Sequence, residues 1–364
     1  MERRRFLKLA GGSGLVLAAG GITAFATTRT PTHALGPWAQ AGHYNDPRKF
    51  ALSYALLAPN PHNRQPWEIG LHGDDVIIID RDKTKKLPHT DPFDRQLTIG
   101  MGCFLELLTI AATARGYRAV TTYFPDGADG PLAHIQFQDG AVQDDLFDQI
   151  LHRRSCKEGF DTRRLNDTQI NILSHHGHVV HDAAEVAHLQ DLTWRAWMVE
   201  YETPRTQRES VELMRFGKRA INENPDGIAM GGAMLEAMNM LGVLDAETAA
   251  DPSSTAYRQG IDMFRPLMMS TPHYIMLKTP ANDRVSQLDT GRRWARLNLT
   301  TTAMGLALHP VSQALQEYQE MATLYRDIHK TYAAPGETIQ MLGRLGYGPK
   351  VPPAPRWGLE EKLV

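Results

Sequence analysis

The chain has 364 residues, 42% hydrophobic and 22% charged, with a formal net charge of −2 at neutral pH. This is ordinary globular composition, with apolar material for a real core and length for about two domains. No basic excess argues for nucleic acid or an anionic membrane surface, and two cysteines, Cys103 and Cys156, make no disulfide framework.

The first element is a leader. "MERRRFLKLAGGSGLVLAAGGITAFA" opens with Arg3, Arg4 and Arg5, continues as Phe6-Leu7-Lys8, and is uncharged from Leu9 to Ala26. Its five glycines make a poor transmembrane helix, and Ala24-Phe25-Ala26 has the small-x-small form of a cleavage site. Arg-Arg-x-Phe-Leu-Lys before a weakly apolar stretch resembles a twin-arginine export signal covering residues 1–26. The plainer alternatives are an ordinary secretion signal or a retained anchor. The resemblance implies the twin-arginine translocase as a partner, a periplasmic location, and a protein that takes up a cofactor before it leaves the cytoplasm. Without the leader, 35 basic and 40 acidic residues remain, a net of −5.

Residues 27–45, rich in Thr, Pro, Gly and His, read as a linker. "DPRKFALSYALLAP" (46–59) predicts a helix capped by Asp46, entered through Pro47 and stopped by Pro59. "WEIGLHGDDVIIIDRD" predicts two strands around a Gly-Asp-Asp turn. Residues 95–118 are apolar almost all round, as in a helix buried on several sides, and Cys103 within it reads as packing. "HIQF" (134–137) is a short strand, 144–161 runs from a helix into a charged loop, and 166–177 is a helix with an Asn/Asp cap. Residues 187–222 read as mostly helical, 272–279 as a buried strand and 287–310 as a long helix. Met230, Met234 and Met238 fall on one helical face, either core or a soft lid. A faint repeat runs through this order. "VIIID", a linker and a helix ending at Gly116 parallel "YIMLK", a linker and a helix ending at Gly305.

Two stretches carry chemistry. "HRRSCKEGFD" sets Arg153, Arg154, Ser155 and Lys157 together, the planar forks, hydroxyl and second cation that suit a phosphate. A solvated basic loop after a helix is the bland alternative. "APNPHNRQPW" places Pro59, Asn60, Asn63 and Gln65 on a proline-stiffened loop ahead of Trp67. "RRSCKEGFD" resembles the flavin-phosphate motif of the nitroreductase flavoprotein family. "APNPHNRQPW" resembles that family's Ser-Pro-Ser-Ser-x-Asn-x-Gln-Pro-Trp loop, and "LGRLGYGPKVPPAPRWGLEEKL" resembles its tail. Here the loop precedes the Arg-Arg-Ser motif, whereas the usual member has the reverse order and dimerises. The chain is therefore similar to the two-repeat, Acg-like branch.

The resemblance implies an α+β fold: a nitroreductase-like pseudo-dimer of two related sheet-and-helix halves in one chain, able to act as a monomer. It divides the chain into the leader, the linker 27–45, a first half 46–150, and a second half 151–364 with a lid at 200–262. It implies FMN, its phosphate held by Arg153, Arg154, Ser155 and Arg356, with Lys157 at the N1/O2 edge of the ring. Pro59, Asn60, Asn63 and Gln65 would line the other side, with Ser312 and Gln313 of "HPVSQ" near N5. Trp67 would anchor the loop. The implied activity is transfer of hydride or electrons from NAD(P)H or another reductant to a small electrophile such as a nitroaromatic or quinone; a binder that sequesters flavin without turnover is the alternative. The flavin bears the chemistry, so no side-chain catalyst is required. His175, His176, His178 and His181 have no reliable metal-ligand spacing and read as a loop leading into a strand.

Overall fold

A computed structural model describes residues 28–364. The expected leader, 1–26, lies outside them. The first helix, α1 (Thr32–Gln40), falls within the stretch read as linker. Tertiary contacts fix it despite Pro37 in its interior: Arg356 N–H donates to Ala34 O at 2.8 Å, and Ala34 N–H to Asn222 Oδ1 at 3.1 Å. Helix α2 (Pro47–Ala55) is capped as its sequence predicts, the Asp46 carboxylate accepting from Arg48 N–H. Strands β1 (Trp67–His72) and β2 (Val76–Arg81) form the expected hairpin. Helix α3 (Arg95–Thr113) is buried on nearly every side, but it stops five residues before the predicted end. Gly116 turns the chain at φ +79°, and the β-branched residues after it form β3 (Tyr117–Tyr123). With β4 (Ala133–Asp139) this closes an antiparallel sheet in the order β1-β2-β4-β3. The helix expected within 144–161 shrinks to a single 3₁₀ turn, Phe147–Gln149.

The rest of the chain builds a second sheet and an insertion. Helix α4 (Asp167–Ser174) has a reciprocal Asn166/Gln169 capping box, and strand β5 (His178–Val180) follows. The helical stretch after it divides into α5 (Ala183–Glu202), α6 (Pro204–Glu212), the three-residue strand β6 (Met214–Phe216) and α7 (Gly217–Glu223). Strand β7 (Ile228–Met230) pairs with β6, and α8 (Ala233–Met240), α9 (Ala246–Ala250) and α10 (Thr255–Met269) complete the insertion. The methionine spacing therefore spans two elements. Met230 belongs to β7, Gly231-Gly232 breaks the run, and Met234 on α8 is 67% exposed. Strand β8 (His273–Thr279), helix α11 (Arg284–Ala303), β9 (Ala307–Pro310), α12 (Ala322–Tyr332) and β10 (Thr338–Gly346) follow. The expected helix 287–310 thus ends early, at Gly305 (φ +68°), and its last four residues are β9.

The second sheet, β5-β8-β10-β9, repeats the order of the first and is also antiparallel throughout. Each sheet has an edge strand, a strand leading to its long helix, the last strand in sequence, then the strand leaving that helix. The order strand–helix–left-handed glycine–strand occurs beside each sheet, as β2–α3–Gly116–β3 and β8–α11–Gly305–β9. The two long helices cross at glycines. A methyl group on Gly102 would lie 2.1 Å from Leu288 O, and one on Gly291 1.9 Å from Ile99 O. The backbones touch there, and Cys103 Sγ donates to Gly291 O at 3.1 Å.

Candidate functional site

Beyond α2 the chain tightens into a 3₁₀ turn, Pro61–Asn63, in which His62, Asn63 and then Gln65 adopt positive φ of 47°, 53° and 50°. Three left-handed non-glycine residues in four positions are costly, by about 1–3 kcal/mol each, and persist only where surroundings impose them. The surroundings are specific. Asn60 Oδ1 accepts from Gln65 N–H at 2.8 Å, and Gly100 of α3 lets Asn60 and Pro61 approach closely. Asn63 Nδ2 donates to Pro225 O and Pro355 O, while its Oδ1 accepts from Arg356 Nη1 at 2.6 Å. Gln65 is fully buried; its Nε2 donates to Pro225 O and its Oε1 accepts from Trp357 N–H. Two of the three amides expected to line a cofactor ring, Asn63 and Gln65, are thus committed to holding the tail and the 225 segment. Gln65 is a brace, because its whole side chain is sealed. Trp67 anchors the loop as expected, fully buried and stacked on Phe104 at 4.9 Å. Pro59 and Asn60 are half-buried at the loop's start.

The Arg153–Lys157 segment approaches from the second half, tied to β9 by Cys156 N–H donating to Leu308 O at 3.0 Å. Arg153 is buried; Nη2 donates to Leu57 O at 2.8 Å and Nη1 to Asn298 Oδ1 at 3.0 Å. Asn298 of α11 also donates to Arg154 O, clamping the segment from both sides. Arg356, from the tail, is equally buried and reaches the same place: Nη2 donates to Ala58 O at 2.9 Å and Leu57 O at 3.2 Å. Asn63 and Arg153 therefore meet through one guanidinium and one carbonyl. Trp38 of α1 covers the cluster, its ring 4.5 Å from Arg154 and 5.9 Å from Arg356.

Among the described residues no carboxylate pairs with these three arginines; their partners are carbonyl and amide oxygens. Burial, then the Arg154 charge, pushes Arg153 down to about 10; burial, then the Arg153 and Arg154 charges, pushes Arg356 to about 9, so both stay cationic at neutral pH. Burying unopposed cations costs several kcal/mol each. The Nε–H of each is buried and has no partner. Converging guanidiniums with unpartnered donors have the chemistry that suits a multiply charged anion such as a phosphate ester. Ser155 stands beside them, half-buried, its hydroxyl in no hydrogen bond among the described residues.

Lys157 is exposed by surface area, although neighbouring protein lowers its pKa by desolvation. It forms no ion pair among the described residues. Its charge, added to burial, presses His62 down to about 4 and contributes, after Arg344, to holding His309 well below the ordinary histidine range. Both imidazoles are therefore neutral beside an unopposed ammonium. A few residues past His309, Ser312 Oγ rests 3.9 Å from Met341 Sδ, and Gln313 opens a short 3₁₀ turn with its side chain turned toward Glu200.

Sequence reasoning missed several of these groups. Trp38 sat in a supposed linker. Asn298 sat in an apparently structural helix, and His62 and His309 adjoined motifs without being singled out. His62, inside the "APNPHNRQPW" loop, and His309, which opens "HPVSQ", had a signal to follow. The histidines of "HHGHVVH" bond elsewhere, His175 Nδ1 to Asn171 O and His176 Nε2 to Thr300 Oγ1. Both cysteines are free and buried.

No known family profile matches the chain. It is similar to proteins of Mycobacterium tuberculosis. One, Rv3131, provisionally named an NAD(P)H nitroreductase, is 24% identical over 348 residues, spanning 90% of this chain and 94% of the relative. Rv3127, of uncharacterised function, is 35% identical over 124 residues, 31% of this chain and 36% of the relative. The protein acg, also provisionally named an NAD(P)H nitroreductase, is 34% identical over 90 residues, 24% of this chain and 27% of the relative. Among solved structures, the FMN-dependent nitroreductase NfnB of Mycobacterium smegmatis, in complex with NADPH, aligns with 58% of this chain and 94% of its own at 18% identity and a TM-score of 0.36.

Proposed function

We propose that the chain is an FMN-dependent oxidoreductase of nitroreductase type that takes electrons from NAD(P)H or another reductant and passes them to a small electrophile such as a nitroaromatic or quinone. The observation that carries this reading is the pair of buried, unpaired guanidiniums, Arg153 and Arg356, converging on Leu57 O with their Nε–H groups unsatisfied. The full-length similarity to a protein provisionally named an NAD(P)H nitroreductase supports the same class. Arg153, Arg154, Arg356 and Ser155 would hold the phosphate. Lys157 would place positive charge where a reduced ring gathers negative charge, favouring the reduced form. His62 and His309, held neutral, would leave that charge at full strength. FMN, when bound, supplies the hydride-transfer chemistry; the chain binds it, orients it and excludes water. In this reading the two halves form a pseudo-dimer with one surviving interface site, and the protein leaves by the twin-arginine route for the periplasm.

A second reading, flavin sequestration without turnover, draws support from the 200–262 segment. Gly227 N–H donates to Asn63 O at 3.1 Å, and Asp226 gathers Lys85, Arg64 and Arg215 at 2.5, 3.3 and 3.3 Å. These contacts latch the segment over the loop. The test is the visible spectrum of the purified protein, the mass of its released chromophore, and anaerobic addition of NADPH followed by a quinone. Bleaching and reoxidation establish the oxidoreductase. A bound but inert flavin establishes the binder, and a colourless protein that takes up no FMN removes both.

A further inference from the structure

One aromatic ring shares the position of the cation cluster without a role in holding an anion. The Arg154 guanidinium stands over the Trp38 ring at 4.5 Å and the Arg356 guanidinium at 5.9 Å. The indole is fixed there from several directions. Its Nε1–H donates to Ala354 O at 2.8 Å, two residues before Arg356 in the tail. Arg356 N–H donates back to Ala34 O at 2.8 Å, one turn earlier in α1. On the other side, Ala34 N–H donates to Asn222 Oδ1 of α7 at 3.1 Å. Ahead of α1, Lys218 Nζ of α7 donates to Thr28 O at 3.1 Å, and Arg29 pairs with Glu236 of α8 at 2.9 Å. Helix α1 is therefore a strap pinned to the tail and to the insertion. Ala34 and Pro37 are buried beneath it, while Thr32, His33, Ala39 and Gln40 are exposed, so it lies between the cluster and water.

We infer that Trp38 is a specificity-determining residue of this site: it walls the solvent side of the cation cluster, so the site takes a flavin that ends in a phosphate monoester and rejects one whose phosphate continues into a nucleotide. This inference rests on the FMN reading above. Two physical arguments carry it. The first is charge. The face of an indole attracts a guanidinium through its quadrupole but brings no formal negative charge, so the arginines keep theirs for the ligand. A phosphate monoester brings about −1.5 to −2 at neutral pH, whereas each phosphate of a dinucleotide brings a single charge and fewer free oxygens. The second is space. A ligand extending past the phosphate has to displace the ring, and with it the bonds to Ala354 O and Ala34 O. A wall of this kind discriminates by what it excludes.

The test titrates the full chain, freed of bound flavin, with FMN, FAD and riboflavin, reading flavin fluorescence. Wild type should bind FMN about a hundredfold tighter than FAD. Trp38→Ala should narrow that ratio to about tenfold or less, chiefly by tightening FAD, with riboflavin affinity within about twofold of wild type. Trp38→Leu, a smaller apolar cover, should shift the ratio in the same direction, and Trp38→Phe, which keeps a ring, should restore most of it. Thermal melts of each variant identify those that are folded, and the comparison is made on them. If Trp38→Ala and Trp38→Leu keep the wild-type ratio, or loosen FMN and FAD equally, Trp38 is packing only and the inference falls while the FMN reading stands. The same holds if wild type binds FAD as tightly as FMN. If wild type binds none of the three flavins, both fall.

Discussion

At the scale of the residue, the site is a set of charges held away from their opposites. Arg153 and Arg356 spend their guanidiniums on carbonyl and amide oxygens, which leaves formal charge for a ligand to neutralise. Arg153→Gln or Arg356→Gln should weaken FMN binding by about ten- to a hundredfold, the scale of one charge-assisted bond, as read by flavin fluorescence titration. Arg356→Gln should cost more, since it also frees Asn63, one of the left-handed residues of the loop. The neutral histidines predict a pH effect on stability. Burial and the nearby cations hold His62 down at about 4, and an unfolded chain takes up that proton near 6.5. Between those values the unfolded state binds more protons, so stability falls as pH drops from 6.5 to 4. His62→Asn should remove roughly 1–2 kcal/mol of that loss, discounted for partial exposure, as measured by urea melts at pH 4.5 and 7.5.

At the scale of the element, the decisive feature is the crossing of α3 and α11. Two glycines let their backbones touch, and the sheets of the two halves flank that contact. Gly102→Ala would set a methyl group against Leu288 O with no flexible side chain to yield. It should destabilise the protein by about 2–3 kcal/mol or more by denaturant melt, whereas an alanine at Gly116 meets no atom within 4 Å and would carry only the cost of its positive φ. Helix starts were legible in sequence because caps are local: Asp46 and Asn166 bond the backbone of their own first turns. Helix ends were not. Gly116 and Gly305 sit just after α3 and α11, but the apolar pattern continues through both into β3 and β9. A buried strand and a buried helix look alike over so few residues. The strand β10 had no assignment in sequence, and α1 was missed because tail contacts override its Pro and Gly.

At the scale of the whole molecule, the tail closes the structure. After β10 it crosses back to the first half, where Arg356 enters the cation cluster and Trp357 N–H reaches Gln65. Lys362 Nζ donates to Gln65 O, Ile69 N–H donates to Lys362 O and Val364 N–H to Ile69 O, so the last residues lie along β1. If the proposed function holds, removing residues 354–364 should abolish FMN uptake, because Arg356 would be lost, and it should lower the melting temperature of the apo-protein by several degrees, since the strap supplies buried backbone bonds. Conversely, FMN at about a hundred times its Kd should stabilise the full chain by about 2.7 kcal/mol by calorimetry, a gain missing from the truncated form.

The amino-acid sequence alone established composition, capped helices, the hairpin and two motifs that resemble those of a flavoprotein family. Each is written locally, in turn chemistry, periodicity or the clustering of Arg153, Arg154 and Lys157. Tertiary structure alone decided that Asn63 and Gln65 are braces and that Trp38 and Asn298 belong to the cluster. Those roles depend on which oxygens remain unpaired once residues hundreds of positions apart are brought together, and on how far packing removes water from a charge. Neither quantity exists until the chain has folded.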